Sequence, residues 1–357
     1  MKKTILLLGT IKGLFIATSD GARRDWELAG PYFPGTQIYA VALDNRNSRI
    51  WVSSNNPFYG TELIYSGDFG ASWTKPEMPL VGFPPDGEES LLNIWQIKPS
   101  IHDSQTIFCG VQPACLFVSH DGGESFTPVE GFYNHPHRKE WMPGAGGLCL
   151  HTIIEDYTDP NVLWTAISTG GVYKTMDAGA SWEPKNKGIV APFLPDPNPE
   201  FGQCVHKMVQ HPANPQTLFL QHHWGVYRTD DGGESWNNIG GELPSDFGFA
   251  MAISPVAPNS VYLLPLKSDE FRCCPDGKLA VYRLGEAGSW ECLDDGLPDK
   301  NCYETILRDA LSVDDSEGIY FGTRNGKLWS SVENGENWRL LFDSLPAILN
   351  VKAYQVL

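Results

Sequence analysis

Residues 226–236 read Val-Tyr-Arg-Thr-Asp-Asp-Gly-Gly-Glu-Ser-Trp, and their reading decides the fold. An apolar strand end runs into a tight turn, Thr229-x-Asp231-x-Gly233, and a second strand opens at Trp236. A carboxylate two residues after a hydroxyl can accept from turn N–H groups, and glycine permits the positive φ that such a turn needs. The pattern recurs at Ser66–Trp73, Ser119–Phe126 and Thr175–Trp182, and at Ser331–Trp338 with Glu333 in place of Asp. Two degenerate copies are Ser19-Asp20-Gly21 running to Trp26, and Glu286-Ala-Gly288-Ser-Trp290.

The closing aromatics Trp26, Trp73, Phe126, Trp182, Trp236, Trp290 and Trp338 lie 47 to 56 residues apart. That spacing holds four short strands and their loops, so the period is the first organising fact of the chain. The pattern [S/T]-x-D-x-G-x-x-W resembles the Asp-box (BNR) repeat of sialidase-like propellers. Seven units then imply an all-β, seven-bladed β-propeller occupying residues 1–357 as a single domain. Thr4–Thr10, Gly13–Thr18 and Trp26-Glu-Leu read as the three outer strands of blade one, and Leu349–Val356 supplies the missing inner strand. The ring thus closes as a velcro joint between the two chain ends. In this frame the Asp boxes hold hairpins together and carry no chemistry.

A formal net charge of −17 argues against nucleic acid or an anionic membrane as partner, since both need basic patches. Met1-Lys-Lys followed by Thr4–Leu8 imitates the opening of a signal peptide, but the apolar run is too short. Eight cysteines without a secretory signal point to a reducing cytoplasm, and the vicinal Cys273-Cys274 reads as free thiols.

The long connections Pro79–Ser90, Pro128–Gly147, Pro184–Gly202 and Leu266–Lys278 all map to one face of the propeller, the mouth of its channel. Long loops in a compact fold usually carry function. Six of the nine histidines map there: His135, His137, His151, His206, His222 and His223. Two inner strands carry matching triplets, Cys149-Leu-His151 and Cys204-Val-His206, in which alternate residues share a face. Counting back from strand ends aligns Tyr39, Asn93, His151, His206, Phe249 and Arg308 around the channel, with Asn350 or Lys352 from blade one.

Three readings follow. His151 and His206, with His222 or His223 and Gln203, could hold a divalent metal such as zinc or manganese; alternatively these histidines and cysteines simply pack. The loop Asn134–Gly147 makes Arg138 a clamp for an anion and Glu140 a proton carrier, with His135, His137 and Trp141 lining the pocket; alternatively Arg138 pairs with Glu140 or a neighbouring loop. Asp269-Glu270-Phe-Arg272 and Arg308-Asp309 share that ambiguity. Glu270, Arg308 and Asp309 are the further catalytic candidates, and Tyr39, Trp95, Gln203, Asp246 and Arg272 the further ligand-binding ones.

Gly13-Leu-Phe, Asn134–His151, Gly202-Gln-Cys-Val-His206-Lys and Arg308-Asp-Ala-Leu also resemble bacterial WD40/YVTN/BNR-like proteins of the exo-α-sialidase or glycosyl hydrolase-like type. The resemblance implies a fold more than an activity. True sialidases have six blades, three substrate-clamping arginines and an early Arg-Ile-Pro motif, whereas Pro31-Tyr-Phe-Pro34 lacks the arginine. Sialidase chemistry is therefore not expected. The expected function is a cytoplasmic propeller binding a small, sugar-like or carboxylated ligand at the channel mouth, as a hydrolase or lyase. The competing expectation is a non-enzymatic propeller that presents the same loops to a protein partner.

Overall fold

In the computed structural model, residues 2–257, 260–285 and 288–356 are described. Glu286 and Ala287, which open the sixth repeat, lie outside the described residues, as does Met1. The strands form seven antiparallel sheets, six of four strands and one of three, and define an all-β seven-bladed propeller. Among the described residues, helix is confined to short turns in the long loops, at Glu130–Tyr133, Pro136–Lys139 and Pro275–Gly277. No helix among the described residues is long and apolar enough to cross a membrane.

The chain divides into two compact units. One unit comprises 35–187 and 192–205, and carries blades two, three and four. Blade two has three strands, Gln37–Asp44, Arg49–Asn56 and Gly60–Ser66; its fourth shrinks to a bridge between Tyr65 and Thr74. The inner strands of blades three and four are Asn93–Pro99 and Leu150–Glu155. Trp51, Ile94, Ile107 and Phe117 form the core between blades two and three. Each such side chain contributes about 1.5–3 kcal/mol when removed from water.

The other unit comprises 1–34, 188–191 and 206–357, and carries blades five, six, seven and one. Blade one has the spatial order Ile348–Val356, Lys3–Thr10, Gly13–Asp20, Glu27–Tyr32. The strand from the C-terminal end pairs antiparallel with Lys3–Thr10 over its whole length, which is the velcro joint expected from the two ends. Blade seven differs from expectation. Its inner strand is regular only at Leu311–Val313, whereas the sequence suggests Thr305–Val313. A turn closed by Ala310 N–H on the Leu307 carbonyl breaks the ladder, and Asp309 instead forms a parallel bridge with Asn350. The blade-six strand expected at Leu279–Arg283 runs Val281–Leu284.

The aspartate turns explain the repeat. Ser66 Oγ donates to Asp68 Oδ1 at 2.7 Å and accepts from Gly70 N–H at 2.8 Å. Asp68 then accepts from Ser72, through N–H at 2.8 Å and Oγ–H at 2.6 Å. Asp121, Asp177 and Asp231 repeat these bonds with Ser125, Ser181 and Ser235. The serine just before the aromatic is thus a working member of the motif that the shorter pattern leaves out. The glycine is required twice over. At Gly123 φ is +92°, and a Cβ there would come within 2.2 Å of Trp51 on the preceding blade.

A second regularity bears on the site. In five blades the inner strand carries one extra residue near its start, opposite a continuous partner strand. The bulge lies at Tyr39-Ala40, Trp95, His151, Phe249-Ala250 and Leu349. A bulge bends the strand and re-aims a side chain. The bulge residue of blade three that matches His151 in blade four is Trp95, two positions beyond Asn93.

Candidate ligand site

The basic cluster of the second unit is built from inner-strand residues of blades five, seven and one. Lys207 Nζ lies 2.8 Å and Lys352 Nζ 3.0 Å from the same oxygen, Asp309 Oδ1. Blade six stands between blade five and blade seven in the chain order, so a direct ion pair between them lies on the concave side of this four-blade arc. Burial alone would raise the Asp309 carboxyl, but the two ammonium groups overcome it and hold the group well below the usual carboxylate range. Burial lowers Lys207 despite Asp309, whereas Asp309 prevails over burial at Lys352 and raises it. An aspartate so held is a fixed anion and cannot serve as a proton donor near neutral pH.

One residue before Lys207, His206 is buried. Its Nδ1 lies 2.6 Å from the Gly248 carbonyl, its ring stacks on Phe249 at 4.5 Å, and His223 lies 5.2 Å away, centre to centre. Burial, reinforced by the Arg308 charge, pushes His206 well below the ordinary histidine value, so the ring is neutral at pH 7. His223 is half-buried, and its Nε2 lies 3.2 Å from Asp269 Oδ2. Burial lowers His223 and Asp269 opposes that shift. The exposed Arg272 places its guanidinium 5.3 Å from the Phe249 ring centre and donates to the Asp269 carbonyl. The blade-six loop therefore delivers Asp269 and Arg272 to the histidine pair. Glu270 and Asp246 are exposed at its margin, where Asp246 contributes its carbonyl to Gly225 N–H and Gln221 Nε2.

His222 faces the other way. Burial pushes it down to about 4, its Nδ1 contacts the Trp224 backbone, and among the described residues its Nε2 has no hydrogen-bond partner.

In the first unit the histidine loop is stapled down. Arg138 donates to Ala114 O and Tyr133 O, forms a double contact with Glu89 at 2.7 and 2.8 Å, and lies over the Tyr133 ring. The guanidinium thus holds three chain segments together, with Glu89 of a neighbouring loop as its carboxylate partner. Glu140 is exposed. Trp141 is buried and donates to Tyr173 Oη at 3.1 Å, so it caps the blade-four core. His137 meets the same hydroxyl at 2.9 Å and stacks on Phe201 at 4.1 Å. His135 accepts from His137 N–H, and burial, with His137 next, lowers its pKa. His151 uses both ring nitrogens, on Thr152 Oγ1 at 3.0 Å and on Val205 O at 2.9 Å. That is the arrangement of a packed, satisfied histidine. Gln203 is buried, donates to Pro199 O, and leaves its Oε1 without a partner among the described residues. Tyr39 and Trp95 are half-buried bulge residues in ring contact at 4.9 Å, and Trp95 donates to Gln112 Oε1.

The structure therefore joins His206, His223, Asp269, Arg272 and Arg308 into one neighbourhood, and Lys207, Asp309 and Lys352 into another beside it. Lys207 and Glu89 were not singled out by sequence as site residues, whereas Lys352 was one of the two residues that blade one offers to the channel. A lysine directly after a candidate histidine was the available signal for Lys207.

No family model matches the chain. A probable oligoxyloglucan-reducing end-specific xyloglucanase of Neosartorya fischeri is 24% identical over 177 residues, 49% of this chain and 19% of that protein. Among solved structures, an ancestral GH74 enzyme matches with a TM-score of 0.59 at 18% identity, over 86% of this chain and 39% of its own. The periplasmic gluconolactonase of Pseudomonas aeruginosa matches with a TM-score of 0.59 at 13% identity, over 98% and 99% of the two chains. YCF48 from Cyanidioschyzon merolae gives 0.55 at 11% identity, over 87% and 86%. The chain matches only a fifth of the length of its curated relative and well under half of the GH74 enzyme. These likenesses define the class, a β-propeller fold shared by proteins of different activities.

Proposed function

We propose that this propeller, of the Asp-box type, binds a small sugar-like carboxylate on the concave side of blades five, six, seven and one. The observation that carries the reading is the approach of Arg308 and Arg272 to a neutral His206–His223 pair, beside the Lys207–Asp309–Lys352 cluster with its excess positive charge, in a chain whose formal net charge is −17. Cations concentrated in an acidic protein mark a place prepared for an anion. The Phe249 ring, in contact with His206 and Arg272, and the half-buried Trp224 supply apolar surface for a sugar. The names of a xyloglucanase and a gluconolactonase among the relatives agree with a saccharide-derived ligand.

In enzymatic form the site would act as a hydrolase or lyase, with the cations holding the carboxylate and His223, oriented by Asp269, as the proton carrier. Asp309 takes the role of electrostatic anchor for the two lysines. A titration of uronic and aldonic acids beside their neutral parent sugars, followed by nuclear magnetic resonance for turnover, tests both parts of this reading.

One observation favours a protein partner instead. Phe58 and Tyr59 are 88% and 83% exposed, side by side in the blade-two hairpin loop. Adjacent exposed aromatics are typical anchors of protein interfaces. Substituting both with Ser would leave sugar-acid binding untouched and abolish capture of such a partner.

A further inference from the structure

We infer that Cys274 and Cys302 are a reversible dithiol, oxidised by a hydroperoxide to a disulfide that ties the blade-six loop to the chain entering blade seven. Both belong to the unit that carries blades five, six, seven and one. They are free thiols, buried in one apolar cluster with Leu279, Leu297 and Ile306. The two sulfurs stand in hydrogen-bond contact, and Cys274 Sγ also donates to the Glu304 carbonyl at 3.5 Å. The backbones around them are already joined. Cys302 N–H donates to the Gly277 carbonyl at 2.8 Å, and Gly277 N–H to the Cys274 carbonyl at 3.2 Å. The Thr305 hydroxyl donates to the Arg272 carbonyl and holds the same two stretches together. A disulfide needs its sulfurs about 2.05 Å apart, on Cα atoms no more than about 7 Å apart. Turning this contact into a bond therefore asks chiefly for side-chain rotation.

The two thiols differ in the way that peroxide chemistry uses. The hydrogen bond from Cys274 draws the Cys302 thiol down, helped by the Glu304 backbone and the Lys327 ammonium, against burial. The same bond, then burial, pushes Cys274 up. The more readily ionised sulfur is the nucleophile, and its partner resolves the product. The Cys302 thiolate attacks one peroxide oxygen and the O–O bond breaks. Its sulfur becomes a sulfenic acid, and the other oxygen leaves as an alcohol with the proton that Cys302 gave up. The Cys274 sulfur then displaces the sulfenic hydroxyl, which departs as water with the Cys274 proton. Two thiols and one hydroperoxide thus give one disulfide, one alcohol and one water. Glu304 is the carboxylate that can take the Cys274 proton. It is buried, Lys327 holds its Oε1 at 3.0 Å, and its Oε2 has no hydrogen-bond partner among the described residues. The disulfide would fix the loop that carries Asp269 and Arg272. This chemistry belongs to the thiols alone and is independent of the sugar-acid site.

The test is addition of hydrogen peroxide to the reduced, untagged full chain, followed by thiol titration, intact mass and tryptic mapping. Two of the eight thiols should be lost, with a mass lower by two hydrogens and a cross-link between peptides 273–278 and 301–308. Fragmentation of the first peptide should place the bond on Cys274, and dithiothreitol should reverse all three changes. Cys302→Ser should abolish the reaction, and Cys274→Ser should stop at a Cys302 sulfenic acid that dimedone traps. Cys273→Ser, and Cys292→Ser at the exposed thiol, should still form the cross-link. Amide exchange across 267–278 should slow by about 10-fold in the oxidised chain. Unchanged thiols in the folded chain, under conditions that oxidise the urea-unfolded chain, would overturn the pair. So would a cross-link that survives in Cys274→Ser or disappears in Cys273→Ser. The wild-type map decides even where a variant fails to fold.

Discussion

Two ammonium groups share one oxygen of Asp309, so the energetics of that residue follow from what its removal leaves behind. In Asp309→Ala, Lys207 and Lys352 would face each other, largely buried, without a counter-charge. Breaking such a pair costs about 3–5 kcal/mol, to be read as a lowered urea midpoint. Replacing all three groups together, as in Lys207→Met, Asp309→Leu and Lys352→Met, should recover much of that loss, because a well-packed apolar cluster is often as stable. Equal destabilisation in both variants would contradict the ion-pair account. Arg138→Ala should also destabilise, by about 2–3 kcal/mol, since a charged donor to two carbonyls and a carboxylate is lost. A variant of unchanged stability with weakened ligand binding would instead make Arg138 the anion clamp suggested by its loop. The sequence displayed both charged residues plainly. Their partners were hidden because Glu89 and Lys352 lie 49 and 43 residues away along the chain.

The aspartate turns were the most legible elements, because all their bonds fall within a few consecutive residues. At Asp68 the Ser72 hydroxyl and N–H, and at Asp177 those of Ser181, hold the carboxyl down at about 2. The sign follows from proton counts. Between the unfolded value of about 3.9 and the folded value near 2, the unfolded chain binds more protons, so stability falls as pH falls. The contribution is complete above about pH 4 and is lost as pH drops through 2. Thermal melts across that window should show a declining transition temperature, with a shallower decline in Asp177→Asn. A flat profile would count against these carboxylates as stabilising groups. The inner strands were less legible. Their bulges add one residue that hydrophobic alternation does not announce, and it is the bulge position that Trp95 shares with His151, where a simple count put Asn93.

At the scale of the molecule, the seven-fold period and the pairing of the two ends could be read from the sequence, because both depend on pattern. The grouping of His206, His223, Asp269 and Arg272 could not, because loop conformation brings it about. The joint between Ile348–Val356 and Lys3–Thr10 makes a definite prediction. Ending the chain at residue 347 removes the inner strand of blade one and exposes Leu6 and Leu8 of its neighbour, both fully buried in the intact chain. The truncated protein should lose its cooperative unfolding transition, and adding the missing nine-residue strand as a peptide should restore part of it. A cooperative, undiminished transition after truncation would show that the joint is dispensable. The central claim concerns the basic concave face, and isothermal titration of a panel of uronic and aldonic acids, each beside its neutral parent sugar, tests it most directly. Saturable binding of an acid, absent for its neutral parent and weakened about 10-fold or more by Arg272→Ala, is the predicted result. Equal binding of acid and neutral sugar, or acid binding indifferent to Arg272→Ala, Arg308→Ala and Lys352→Ala alike, would contradict it.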